Sequence, residues 1–148
     1  MLTYDVTAAS TASPVVVWRL LVDARTWPTW SPVDSLVADR SSGLDPGGQD
    51  PVGAVRAFRT GWMVTGERLT GLVENKQLTY EDAFNWAIRN YRAVVDLAPA
   101  SDGGTTIHWH GTYDARWRLG WLMKRVMRRV MQQEADGLAS YAATLPQQ

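Results

Sequence analysis

The sequence predicts an α+β domain: a curved antiparallel sheet of seven strands, with two short helices after the first strand and one long helix closing the chain. Three observations carry this. Leu2 to Ala9 set Leu2, Tyr4, Val6 and Ala8 against Thr3, Asp5 and Thr7, the period-2 pattern of a half-buried strand. Between Val33 and Tyr113 further strand-like segments follow one another, separated by turn residues. From Leu119 to Leu145, the residues Leu122, Met123, Val126, Met127, Val130, Met131, Leu138 and Tyr141 recur at helical steps on one broad face. Laying that helix across the concave face of the sheet is the simplest way to hide both apolar surfaces.

After the first strand, Ser13-Pro14 reads as an N-cap followed by proline at the first helical position, ahead of the apolar run Val15 to Val22. Trp27-Pro28-Thr29-Trp30-Ser31-Pro32 stops that helix and re-aims the chain, because each proline turns its predecessor away from helix. A short helical pair therefore precedes the meander. Its strands are expected at about 33–40, 53–60, 63–73, 77–84, 89–98 and 104–113. Gly43 to Gly53, with Asp45-Pro46-Gly47-Gly48, is the longest loop, and Pro99 to Gly104 is a tight polar connection.

A chain of 148 residues with 45% hydrophobic content suits one domain over residues 1–148 with one sizeable core. Fifteen basic residues balance fifteen acidic ones, so there is no overall field for a polyanion, and no nucleic-acid partner is expected. The absence of cysteine removes disulfides and thiolate zinc sites. Met1-Leu2-Thr3-Tyr4-Asp5 lacks the pattern of a signal peptide, and no stretch approaches the roughly 18 apolar residues of a span, so a cytoplasmic location is expected. Gly43 to Gly53 is followed by neither Lys-Ser nor a helix, so no nucleotide cofactor is expected. His108 and His110 share one face of a strand, but no third ligand stands near them in sequence, and no metal is expected.

Several segments together resemble the START-like (SRPBCC) superfamily, whose members include polyketide cyclases, pollen allergens and plant hormone receptors. They are Trp27-Pro28-x-Trp30, Val52-Gly53-Ala54-Val55-Arg56, Glu67-Arg68-Leu69, Asn90-Tyr91-Arg92, Thr106-Ile107-x-Trp109 and the Arg-rich final helix. The resemblance covers nearly the whole chain. It implies a helix-grip fold, in which the curved sheet wraps around the C-terminal helix, and a cavity for a hydrophobic small molecule. It does not fix an activity.

Strand alternation then selects the lining. Ile107, Trp109, Gly111 and Tyr113 form the apolar face of their strand, which puts His108 and His110 outside. Tyr91, Ala93, Val95 and Leu97 form the inward face of theirs. The resemblance to the hormone-receptor branch implies that Arg56, Glu67 and Tyr91 look into the cavity. If so, Arg56 and Glu67 pair with each other or hold a polar ligand head, since a lone charge there costs several kcal/mol. A rim ion pair, worth about 0–1 kcal/mol, is the alternative.

The expected walls are Trp30, Phe58, Tyr80, Tyr91, Trp109, Met123 and Met127, beside Arg56 and Glu67. Trp62, Phe84 and Trp86 sit on two loops and either gate the cavity or pack against the helix. On the helix, Trp121 falls among Lys124, Arg125, Arg128 and Arg129, a set that suits transient contact with an anionic membrane and equally suits an ordinary solvated face. Two functions share the cavity. One is binding or transport of a lipid, sterol or polyketide-like molecule. The other is an aromatase/cyclase or dehydratase-like enzyme with Glu67 as base, Tyr91 as acid and Arg56 as oxyanion partner. A domain with a filled interior, acting through its surface or a dimer face, is a third.

Overall fold

The computed structural model describes every residue except Trp117, Leu119 and Gln148. Seven strands form one antiparallel sheet in the order β1-β7-β6-β5-β4-β3-β2. They are β1 (Leu2–Ser10), β2 (Ser35–Leu36), β3 (Val55–Thr60), β4 (Met63–Val73), β5 (Gln77–Phe84), β6 (Ile88–Pro99) and β7 (Thr105–Ala115). Helices α1 (Pro14–Val22) and α2 (Trp27–Trp30) follow β1, and α3 (Gly120–Thr144) closes the chain. This is the helix-grip arrangement of seven strands, two short helices and one long helix. Consecutive strands from β3 to β7 are neighbours, and β1 crosses to pair with β7 from Leu2↔Tyr113 to Ser10↔Thr105.

Three local features depart from the sequence reading. The strand expected over 33–40 shrinks to Ser35–Leu36, followed by a 3₁₀ turn at Ala38–Arg40. Past Leu36 the edge of β3 is met by a curling loop: Val37 N donates to Ala57 O, and the Ser41 hydroxyl accepts from Ala57 N. A side chain thus ends the ladder and covers an edge. Ser13 stands at the N-cap of α1, but its hydroxyl makes no cap hydrogen bond; its carbonyl accepts from Val16 N and Val17 N.

The third concerns α3. Its C-terminal half buries Met131, Glu134, Ala135, Leu138, Ala139 and Ala142 against β1, β7, α1 and α2. In its N-terminal half Leu122 and Val126 are exposed, and Met123, Met127 and Val130 are only half-buried, although all five belong to the expected apolar stripe. Leu119 lies outside the described residues. Met123 and Met127 still pack against the core, but the fully buried positions are confined to the second half, so the stripe is continuous in sequence and graded in burial.

The core is unusually aromatic. Trp27 and Phe58 stack at 5.2 Å between ring centroids, Trp30 lies 4.7 Å from Trp27, and Trp109 meets Trp27 edge-on at 5.8 Å. No helix among the described residues is long and apolar enough to cross a membrane.

A buried charge and tyrosine cluster as the candidate functional site

Sheet and helices converge on Arg56, which is fully buried at the centre of the molecule. Its Nη1 donates to Leu21 O at 2.7 Å, and Trp27 Nε1 donates to the same carbonyl at 3.1 Å. Leu21 is in the last turn of α1, where carbonyls have no partner within the helix. A cation there also meets the negative end of the helix. The guanidinium lies over the Trp27 ring at 4.6 Å. Its second amino group, Nη2, stands 3.9 Å from Glu67 Oε2, an ion pair too long for a hydrogen bond. Among the described residues, Arg56 Nε, Arg56 Nη2 and Glu67 Oε2 are buried without a hydrogen-bond partner.

Two irregularities of the sheet lie beside the cluster. Between β4 and β5 the register shifts, so that Gly66 faces Phe84 while Glu67 faces Asp82, and the unbroken β3–β4 ladder sets Glu67 opposite Arg56. On β6 the register slips between Arg89 and Arg92; Asn90 takes a φ of 54°, and Tyr91 N donates to Asp82 Oδ1. Such a bulge re-aims one side chain: Tyr91 keeps the phase of Ala93, Val95 and Leu97, and Ile88, three residues before it, is brought to the buried side as well.

Three tyrosines form a hydrogen-bonded chain. Trp109 Nε1 donates to Tyr80 OH at 3.2 Å, Tyr80 OH and Tyr91 OH are 2.9 Å apart, and Tyr91 OH and Tyr4 OH are 2.5 Å apart. Tyr4 reaches this chain because its strand partner on β7 is Gly111. A Cβ there would stand 2.8 Å from the Tyr4 ring and 2.7 Å from Arg92 O. From the helix side, α3 adds the buried carboxyl of Glu134 and Met131, whose sulfur is 3.9 Å from Tyr91 OH.

Burial sets the electrostatics. Desolvation pushes the Glu67 carboxyl up to about 7, opposed by Arg56, although the side chain keeps 16% exposure. Glu134 is also raised well above its ordinary value, by desolvation and then by Glu67, against the pull of Arg56. The Arg56 guanidinium is lowered by burial, opposed by Glu67 and Asp50, and it stays cationic at neutral pH. Desolvation raises Tyr4, Tyr80 and Tyr91, so all three remain protonated donors. The cluster thus holds one fixed cation, two carboxyls that share its charge, and three phenols. It is equipped to hold an oxygen-bearing polar group and to move a proton.

The expected site residues divide between this cluster and its surroundings. Trp30, Phe58, Tyr80, Tyr91 and Trp109 are buried around it. Met123 and Met127 are half-buried against the core on the loosely covered half of α3. Trp62 and Trp86, from separate loops, meet edge-on at 5.2 Å, with 75% and 48% of their surface exposed. Phe84, expected on a loop, is instead the last residue of β5, where it lies across Gly66 and under the Arg40 guanidinium at 4.4 Å. Sequence reasoning passed over Glu134, Tyr4 and Trp27 as site residues. Glu134 had a signal, since it stands three residues after Met131 and four before Leu138 on the buried stripe. A groove of about 700 Å³ between α1 and the Gly47–Pro51 loop is lined by none of the cluster residues.

The family model for polyketide cyclase / dehydrase and lipid transport proteins matches residues 1–143. The chain belongs to this family. Solved structures agree with that placement. A START superfamily protein from Mycobacterium smegmatis superposes with a TM-score of 0.78 at 13% identity, over 97% of this chain and 99% of that one. A Thermobifida fusca protein, solved in solution, gives 0.78 at 25% identity over 99% and 97%. XoxI from Bacillus cereus gives 0.76 at 18% over 95% of both. No curated sequence matches the chain. In this polyketide cyclase/dehydrase and lipid transport fold, the Arg56 cluster occupies the space between sheet and C-terminal helix, and the superfamily is one that binds hydrophobic ligands.

Proposed function

We propose that the protein is a cytoplasmic binding domain for a hydrophobic small molecule bearing one polar, oxygen-rich end. The observation that carries this is the set of unpartnered buried atoms on Arg56 and Glu67. Leaving such groups unpaired costs about 1–3 kcal/mol each, more when charged; a ligand hydroxyl answers both, while a carboxylate or carbonyl accepts from Arg56 and meets Glu67 when that carboxyl is protonated. The polar end takes Arg56, with Glu67, Glu134 and the Tyr91 hydroxyl beside it. The apolar body, of lipid, sterol or polyketide type, follows Trp30, Phe58 and Trp109 toward Met123 and Met127, whose flexible thioethers adapt to irregular shapes. Native mass spectrometry of freshly purified protein, set against its denatured mass, is expected to show one stoichiometric released molecule with such an end. Protein that stays empty when offered long-chain acids, sterols and aromatic polyketides would remove the reading.

A proton-transfer enzyme of the aromatase/cyclase or dehydratase type is the second reading, favoured by the Glu67 carboxyl being pushed up to about 7. Glu67→Gln separates the two. A carrier retains the captured molecule unchanged, whereas an enzyme stops converting it.

The ligand source we propose is an anionic bilayer. Trp121 is 66% exposed at the start of α3, Leu122 and Val126 are exposed beside it, and Lys124, Arg125, Arg128 and Arg129 are exposed on the same segment. No acid stands between Arg116 and Gln133. Arg116 Nη1 donates to Trp86 O, which ties the Trp62–Trp86 pair to this end of the molecule. Each basic residue at an anionic surface contributes about 1 kcal/mol. Arg125→Glu with Arg129→Glu should therefore weaken flotation with phosphatidylserine-containing vesicles by at least about thirtyfold. A parent protein that fails to float with them would end the idea.

A further inference from the structure

The outer face of the sheet carries a second cluster of chemistry-bearing side chains, on the side opposite Arg56. His108 and His110 stack at 4.4 Å between ring centroids. Register on β6 places Asp96 opposite His108, yet the carboxylate leans along the sheet: Asp96 Oδ2 is 2.9 Å from His110 Nε2 and 4.0 Å from His108 Nδ1. The third ligand that sequence spacing lacks is thus supplied by the neighbouring strand. One donor atom from each of Asp96, His108 and His110 lies within 4.8 Å of the others.

The surroundings orient these donors. Asp5, on β1, accepts from His108 Nε2 at 2.9 Å, which fixes the proton there and leaves the Nδ1 lone pair turned toward Asp96. Gln77 Nε2 donates to Asp96 Oδ1 at 2.8 Å, which leaves Oδ2 for the cluster. A carboxylate on the far nitrogen of a ligating imidazole, and a hydrogen bond on a ligating carboxylate, are the outer-shell pattern of bound transition metals. Because a carboxylate only accepts, His110 Nε2 carries the proton in its 2.9 Å contact with Asp96 Oδ2; ligation through Nε2 releases that proton and leaves the imidazole neutral, with its hydrogen on Nδ1.

We propose that His108 Nδ1, His110 Nε2 and Asp96 Oδ2 bind a first-row divalent cation, Zn2+ among the available ions, with Asp5 and Gln77 as orienting partners. Zn–N and Zn–O bonds of about 2.0–2.1 Å in a tetrahedron set ligand atoms about 3.3 Å apart. The Asp96 separations of 2.9 and 4.0 Å bracket that value, and the two stacked imidazoles must rotate for both lone pairs to converge on one ion, with all three donor atoms already within 4.8 Å of one another. Nitrogen donors with a single carboxylate select zinc, copper or nickel over magnesium and calcium. All three ligands are part-exposed, so the remaining position faces water. The ion bridges β6 and β7 directly and β1 through Asp5.

The test is calorimetric titration of tag-free protein with Zn2+ alone and with Mg2+ alone. Zn2+ is expected to saturate at one equivalent and to raise the melting temperature, while Mg2+ does neither. Asp96→Asn and His110→Gln should each weaken Zn2+ by more than about tenfold, and Asp5→Asn by about tenfold. Ring resonances of His108 and His110 should shift together on addition of Zn2+, a readout independent of how any variant folds. Absence of saturable binding by the parent would overturn the proposal. So would binding that Asp96→Asn and His110→Gln leave intact, or His ring resonances unmoved by Zn2+.

Discussion

Gly137→Ala is expected to destabilise the fold by about 2–3 kcal/mol, although helix propensity alone favours Ala over Gly by about 1 kcal/mol. An ideal Cβ at Gly137 would stand 1.9 Å from Trp30 O and 3.1 Å from Trp30 C. Both are backbone atoms of α2, so no flexible side chain can give way. Relief requires α3 to withdraw from α2, and α2 carries Trp27 and Trp30, the rings that pack on Arg56 and Trp109. Glu134 lies one turn earlier on the same helix face and is drawn out with it. In a thermal melt the loss should read as a fall of about 6–12 °C, against a change within about 0.5 kcal/mol for Ser140→Ala on the exposed face. A melting temperature equal to or above the parent's would mean that α3 and α2 stand farther apart than this packing requires.

That close approach also shows what sequence patterning does and does not carry. Alternation assigned the faces of β1, β6 and β7, because a period of two leaves one solution once Trp109 and Ile107 are placed inside. It carried no mark of the bulge at Asn90, which breaks the period between Ile88 and Tyr91 so that both are buried, nor of the extra residue on β5 that shifts the register beside Glu67. Gly111 and Gly137 read as ordinary small residues until a ring and a carbonyl are seen to occupy the space of their missing Cβ atoms. The apolar stripe of α3 was legible along its whole length, but burial depends on what lies beneath, and α1 and α2 lie under the second half only. The Asp96 carboxylate was invisible beside His108 and His110 for a related reason: the spacing that matters runs across strands.

Arg56→Met is expected to cost about 3–5 kcal/mol at pH near 8 and markedly less at pH near 5. The methionine is apolar and unbranched, so the change removes charge more than volume. What remains is two buried carboxyls, Glu67 and Glu134, without the cation that pulls both downward. In the parent the folded Glu67 value, about 7, already lies above its ordinary 4.5. The folded state therefore holds a proton that the unfolded chain has released, and the stabilisation this brings is complete below about 4.5 and is lost as pH rises through about 7. A shift of that size corresponds to roughly 3 kcal/mol. Glu134, also raised well above its ordinary value, adds a decline of the same sign. Without Arg56 both values climb. At pH near 5 both carboxyls are neutral and the variant loses only the Leu21 hydrogen bond and the stack on Trp27, about 1–3 kcal/mol. At pH near 8 the chain must bury uncompensated charge or hold two protons against solvent. Urea unfolding of parent, Arg56→Met and Arg56→Met with Glu67→Gln at both pH values measures this directly. Glu67→Gln should recover part of the loss at the higher pH and little at the lower. Equal destabilisation at both would mean that Arg56 acts through Leu21 and Trp27 alone, and the carboxyls would then have no share in the charge that a bound polar group is proposed to meet.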